Sequence, residues 1–163
     1  GRINVVSGFN NKKISSLVIQ GSALYKVVGL DKENKLVILA NKKDIYTVDL
    51  NENTGILDQS SITKIAQSQT GITDIFTNGS NIVFATKENI VEVNIVGNET
   101  NRIHVDEGID AFTISNDDPS VGYVSTIGGK ILQISWLDKE QVVIKNYGKT
   151  GRVNSMLNKN GYL

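Results

Sequence analysis

One unit recurs three times along the chain, and it restricts the fold more than any single residue does. In each copy a short apolar run is followed by a polar turn and then by a run of alternating apolar and polar residues. The first copy is Leu36-Val37-Ile38-Leu39-Ala40, Asn41-Lys42-Lys43-Asp44, then Ile45 to Leu50. The second is Asn81 to Ala85, Thr86-Lys87-Glu88-Asn89, then Ile90 to Ile95. The third is Val121 to Ser125, Thr126-Ile127-Gly128-Gly129-Lys130, then Ile131 to Trp136. In the alternating runs Tyr46, Val48 and Leu50 oppose Thr47 and Asp49, and Val91, Val93 and Ile95 oppose Glu92 and Asn94. Leu132, Ile134 and Trp136 oppose Gln133 and Ser135 in the same way. A period of two places successive side chains on opposite faces, which is strand geometry. Turns rich in Asn, Asp, Lys and Gly make each pair a hairpin.

Ala40 lies 45 residues before Ala85, and Ala85 lies 40 before Ser125. That spacing is the length of one blade of a β-propeller. Each unit has an earlier strand: Leu24 to Val28, Ile72 to Phe76 and Ile109 to Ser115, with Val153 to Leu157 opening a fourth. Each also has a weaker, polar outer strand: Ile56-Leu57-Asp58, Arg102 to Val105 and Gln141 to Lys145. Lys and Glu on an outer edge discourage stray pairing. Ile14 to Ile19 reads as the outer strand of a preceding blade. Ser60 to Gln69 reads as a blade-connecting loop in preference to a short turn of helix.

The expected fold is therefore all-β, with about three full four-stranded antiparallel blades over 22–60, 70–106 and 107–147. Partial blades over 1–21 and 148–163 complete the chain. The inner strands are apolar on both sides, so each blade needs neighbours to cover both faces. Three and a half blades fall short of a seven-bladed ring, so the expectation is a segment of a longer polypeptide, or a ring completed by a second copy or another chain. The start, Gly1-Arg2-Ile3-Asn4, carries neither an initiator Met nor a signal peptide, and residues 160–163 stop just after what reads as a new strand.

The residues resemble the WD-repeat family. Ile109, Phe112, Ile114 and Ser115 match its first-strand pattern, followed by the turn Asn116-Asp117-Asp118-Pro119. Gly128-Gly129-Lys130-Ile131 stands where the family has an Asp-Gly turn. The family's Trp-Asp dipeptide is absent, its place taken by Asp49-Leu50, Asn94-Ile95 and Ser135-Trp136. Its Gly-His pair is absent as well, and His104 stands near the expected position without the Gly. The resemblance implies the propeller fold and no particular activity.

Charge and composition restrict the chemistry. Seventeen basic residues balance 17 acidic ones, so no net field draws nucleic acid or an anionic membrane. Without cysteine there is neither a disulfide framework nor a thiolate metal site. No apolar stretch approaches the roughly 18 residues that span a bilayer. With His104 the only histidine, neither a catalytic triad nor a two-histidine metal site can be assembled from this chain. Asp106, Glu107, Asp110, Asp117 and Asp118 form an acidic run without the ligand spacing of a calcium loop. Gly128-Gly129-Lys130 precedes a strand, whereas a phosphate loop would open a helix. Lys145, Lys149, Arg152 and Tyr147 form a small basic patch, read as solvated surface. Trp136 reads as packing between blades. Asn78-Gly79-Ser80 and Asn98-Glu99-Thr100 fit the glycosylation pattern, a short motif that recurs by chance.

The functional expectation is a non-catalytic protein–protein interaction scaffold, intracellular, with no cofactor and no metal, acting among other protein subunits. The partner-binding candidates lie in turns and connections: Lys42, Lys43, Asp44, Lys87, Glu88, Asp106, Glu107, Lys130, Tyr147, Lys149 and Arg152. The alternative is a ligand-sensing propeller of an exported or membrane-linked sensor protein. A third reading is a propeller enzyme whose active residues lie in other blades.

Overall fold

The computed structural model describes residues 1–51, 53–115 and 117–146. The fourth inner strand expected at Val153 to Leu157 lies outside them. Strands β1 (Arg2–Val6) and β2 (Lys13–Val18) pair as a two-stranded antiparallel sheet. Three larger antiparallel sheets follow in chain order. The first runs β3 (Leu24–Leu30), β4 (Lys35–Ala40), β5 (Asp44–Asn51), with β6 (Ile56–Leu57) and β7 (Thr63–Gln67) both pairing with β5. The second runs β8 (Ile72–Asn78), β9 (Asn81–Thr86), β10 (Asn89–Val93), β11 (Glu99–His104). The third runs β12 (Ile109–Ile114), β13 (Val121–Thr126), β14 (Lys130–Ser135), β15 (Gln141–Asn146). In each, sequential strands pair from inner to outer, so these are propeller blades.

Alternation along the inner strands decides which side chains face which neighbour. In the second blade Ile82, Phe84, Val91 and Val93 join Val37, Leu39 and Ile45 of the first. The opposite face of that sheet supplies Val83, Ala85, Ile90 and Ile103 to a core shared with Phe112, Val124, Leu132 and Ile134 of the third. Ile38, Val48 and Leu57 turn the other way, onto Leu17 and Ile19 beside the β1–β2 sheet. The cores therefore lie between blades, not within them. Each fully buried Ile or Leu contributes about 1.5–3 kcal/mol of transfer free energy. The aromatic residues bridge the second and third blades. Phe76 meets Phe112 edge-on at 5.2 Å between centroids, and Phe112 meets Trp136 at 5.9 Å. Trp136 follows the last residue of β14 and is buried between blades.

One expectation is corrected. Ser60 to Gln69 is not a loop: a 3-10 turn at Gln59–Ser61 leads into β7, which pairs with β5 from Thr47 to Asp44. The expected outer strand at Ile56-Leu57-Asp58 forms only two residues of ladder, opposite Leu50 and Asn51. That leaves most of the β5 edge without a partner, and β7 supplies it. Ile65 and Ala66 then pack against the core shared with the second blade.

A close approach fixes the position of β7. Gly97, in the turn between β10 and β11, has φ +87°, and a Cβ there would run into the Ile65 carbonyl oxygen of the neighbouring blade. Only backbone movement relieves such a contact, and a left-handed φ already disfavours a side chain. Gly97→Ala is expected to cost about 2–4 kcal/mol, read as a lowered urea midpoint. A midpoint equal to wild type would show that β7 and this turn are not in contact.

Candidate functional site

Antiparallel order carries successive connections to alternating ends of a blade. The middle turns β4–β5, β9–β10 and β13–β14 therefore share one end with the connections from each outer strand to the next inner strand. Every partner-binding candidate among the described residues falls at that end. Lys42 and Lys43 occupy the first middle turn, Asp44 opens β5 directly after it, and Lys87 and Glu88 occupy the second. Lys130 closes the third, and Asp106 and Glu107 lie in the connection between β11 and β12. Tyr147, Lys149 and Arg152 lie outside the described residues, while Lys145 is in β15.

These turns are tied down by a bonding pattern that repeats from blade to blade. The Ile72 N–H donates to the Lys42 carbonyl at 2.6 Å, and Ser68 N–H to the Lys43 carbonyl at 2.9 Å. One blade on, Ile109 N–H donates to the Lys87 carbonyl at 2.7 Å, and Val105 N–H to the Glu88 carbonyl at 2.8 Å. The first two middle turns thus each hold the entry to the next inner strand. With their backbones pinned, the exposed Lys42, Lys43, Lys87 and Glu88 side chains project from a rigid base.

The three turns close differently. Asn41 and Lys42 both have φ +53°, and Lys43 N–H donates to the Ala40 carbonyl at 3.0 Å. Two successive left-handed residues match the twist of the flanking strands. Asn tolerates that conformation, but Lys42 adopts it at a cost. In the second turn the buried Thr86 hydroxyl accepts from Asn89 N–H at 3.1 Å. In the third, buried Thr126 accepts from Lys130 N–H at 3.1 Å and donates to Glu107 Oε2 at 3.0 Å.

Ion pairs order the charges of this face. Lys64 Nζ lies 2.5 Å from Asp44 Oδ1, a carboxylate with 11 % of its side chain exposed. The Lys64 hydrogen bond holds the Asp44 carboxyl below the usual carboxylate range. Lys130 pairs with Glu107 across the β11–β12 connection. Lys26, on β3, reaches Asp74 of β8 at 2.6 Å and stands 4.0 Å above the Phe76 ring, which links the inner strands of two blades. His104 is exposed at the end of β11, 3.3 Å from Asn89 Oδ1 and 3.4 Å from Asp106 Oδ1.

The acidic run of the sequence is divided by the fold. Asp106, Glu107 and Asp110 lie at the near end of β12, and Asp117 and Asp118 lie beyond its far end. Asp118 accepts from Ser120 N–H at 2.8 Å and Ser120 Oγ at 2.6 Å, closing a turn. Among the described residues no group of three or more His, Cys, Asp or Glu is placed to hold a metal ion. No helix among them is long and apolar enough to cross a membrane.

Three bulges are not visible in the sequence. Among the described residues the three inner strands β3, β8 and β12 shift register near the same end, between Leu24 and Lys26, Ile72 and Asp74, and Ile109 and Ala111. The shifts set out Tyr25, Thr73 and Asp110, one per blade, as bulge residues. Lys42 Nζ lies 5.1 Å from the Tyr25 ring centroid, so the first middle turn and the first bulge meet. No Gly marks these bulges, so only the pairing register reveals them.

No family model and no curated protein matches the chain. Among solved structures it is similar to the Neurospora crassa Pan2 WD40 domain, with a TM-score of 0.60 at 12% identity over 82% of this chain and 40% of that chain. It is also similar to the computationally designed Ika4 protein, with a TM-score of 0.67 at 18% identity over 91% of this chain and 88% of that one. The chain thus spans 40% of the length of the Pan2 chain it matches. At these identities the likeness is one of fold, and the fold is a WD40-like β-propeller.

Proposed function

We propose that the chain is a non-catalytic interaction scaffold, intracellular and part of a multiprotein assembly, and that it binds other protein subunits through the end carrying the middle turns. One observation carries this reading: the turns that present Lys42, Lys43, Lys87 and Glu88 share one end and are pinned by the same pair of backbone hydrogen bonds. Rigid presentation lowers the ordering cost of binding. The mixture of Lys and acidic groups suits a protein partner of mixed charge, where charge complementarity sets specificity more than affinity. Likeness to a WD40 domain supports a propeller that works by display.

Strain at Lys42 supports the same reading. Backbone strain kept in a turn where glycine would relieve it is the pattern of a residue retained for its side chain. Lys42→Gly is expected to raise stability by about 0.5–1 kcal/mol, a rise of roughly 2 °C in melting temperature by calorimetry. An unchanged or lowered melting temperature would remove the strain argument.

The binding test uses Lys42→Glu/Lys87→Glu. Affinity purification of the wild-type chain is expected to recover a stoichiometric protein complex. The double variant, equally folded by circular dichroism, is expected to weaken that complex at least about tenfold, the effect of placing like charges across an interface. Undiminished binding by the variant contradicts this site. Recovery of no protein, together with thermal stabilisation by a small molecule, would instead support the sensor reading.

A further inference from the structure

The first blade departs from the repeat at the opposite end. Its connection from β5 to the outer strand β7 spans 52–62, whereas the equivalent connections in the next two blades span 94–98 and 136–140. One side of this insertion is structural. Ser15 Oγ donates to the Gly55 carbonyl at 2.7 Å, Gln59 Nε2 donates to the Val18 carbonyl at 3.0 Å, and Leu57 is buried. Those contacts clasp the β1–β2 sheet. The other side, with the turn between β3 and β4, walls a cleft of about 790 Å³. That size falls within the range of binding clefts, and insertions that break a repeat often mark its binding face.

The lining has a definite chemistry. Glu33, Lys35, Asp49, Asn53, Ile56 and Asp58 contribute to it. Among the described residues three carboxylates stand against one ammonium, two charges negative at neutral pH. Lys35 is paired with Asp49, and Asp58 Oδ1 accepts from Ser60 N–H and Oγ. Glu33 is half-buried and Asn53 is exposed, so both present polar groups to the cleft. The cleft therefore offers carboxylate and carboxamide acceptors beside the exposed aliphatic Ile56. A guanidinium carries five donors and no acceptor on an aliphatic stem, which complements both features.

We infer that this cleft binds an arginine-bearing extended segment of a protein partner. The stem lies along Ile56, and the guanidinium meets Glu33, aided by Asn53. This second site is on the face away from the turns assigned to scaffolding, so the two readings stand or fall separately.

The test is fluorescence anisotropy of a short labelled arginine peptide against the full chain. Salt-sensitive binding is expected, weakened about five- to tenfold by Glu33→Gln and measurably by Asn53→Ala. Lys42→Glu/Lys87→Glu is expected to leave it unchanged. Equal binding by Glu33→Gln, or by a glutamate peptide of the same length, overturns the proposal. So does tight binding of an uncharged oligosaccharide that the arginine peptide fails to displace.

Discussion

The structure depends on covering two faces of every sheet. A strand such as β4, with Val37, Ile38, Leu39 and Ala40 all at 2 % exposure or less, carries apolar side chains on both sides. One sheet cannot hide both by itself, so each blade is stable only between neighbours. From that follow the stacked order of the blades, the location of the cores between them, and the bridging by Phe76, Phe112 and Trp136. Even the polar contacts obey it, since the Lys26–Asp74 pair joins inner strands of different blades.

A stack held in this way has two ends free for function. At one end the first two middle turns repeat a single hydrogen-bonding device while their side chains vary, lysines in the first and Lys87 with Glu88 in the second. The constant backbone and the changing side chains divide the work between fold and recognition. At the other end the repeat is broken once, by the insertion after β5. That insertion both clasps the preceding sheet and opens the cleft. A single stretch of chain thereby joins stability to the proposed second site.

Much of this was legible in the sequence because period two is a direct consequence of strand geometry. The alternation of Tyr46 to Leu50 or Val91 to Ile95 identified the third strands, and the turn residues identified the hairpins. Strand β7 was not legible, because Ile65 and Ala66 are adjacent apolar residues in a short polar segment and a register shift opposite Ile45 and Tyr46 breaks the alternation. The grouping of Lys42, Lys87 and Glu107 at one end followed from topology once the hairpins were placed. The bulges at Tyr25, Thr73 and Asp110, and the cleft near Glu33, depend on register and on loop length in space, which residue type does not encode.

Native-state hydrogen exchange tests the mutual support of the blades most directly. Ile75 of β8 is fully buried in the core shared by the first two blades. Ile75→Ala is expected to speed exchange of the slowest amides in β4 as much as in β9, since both blades open together. Faster exchange confined to β8 and β9, with β4 unaffected, would show that the first blade stands without its neighbour and would contradict the account.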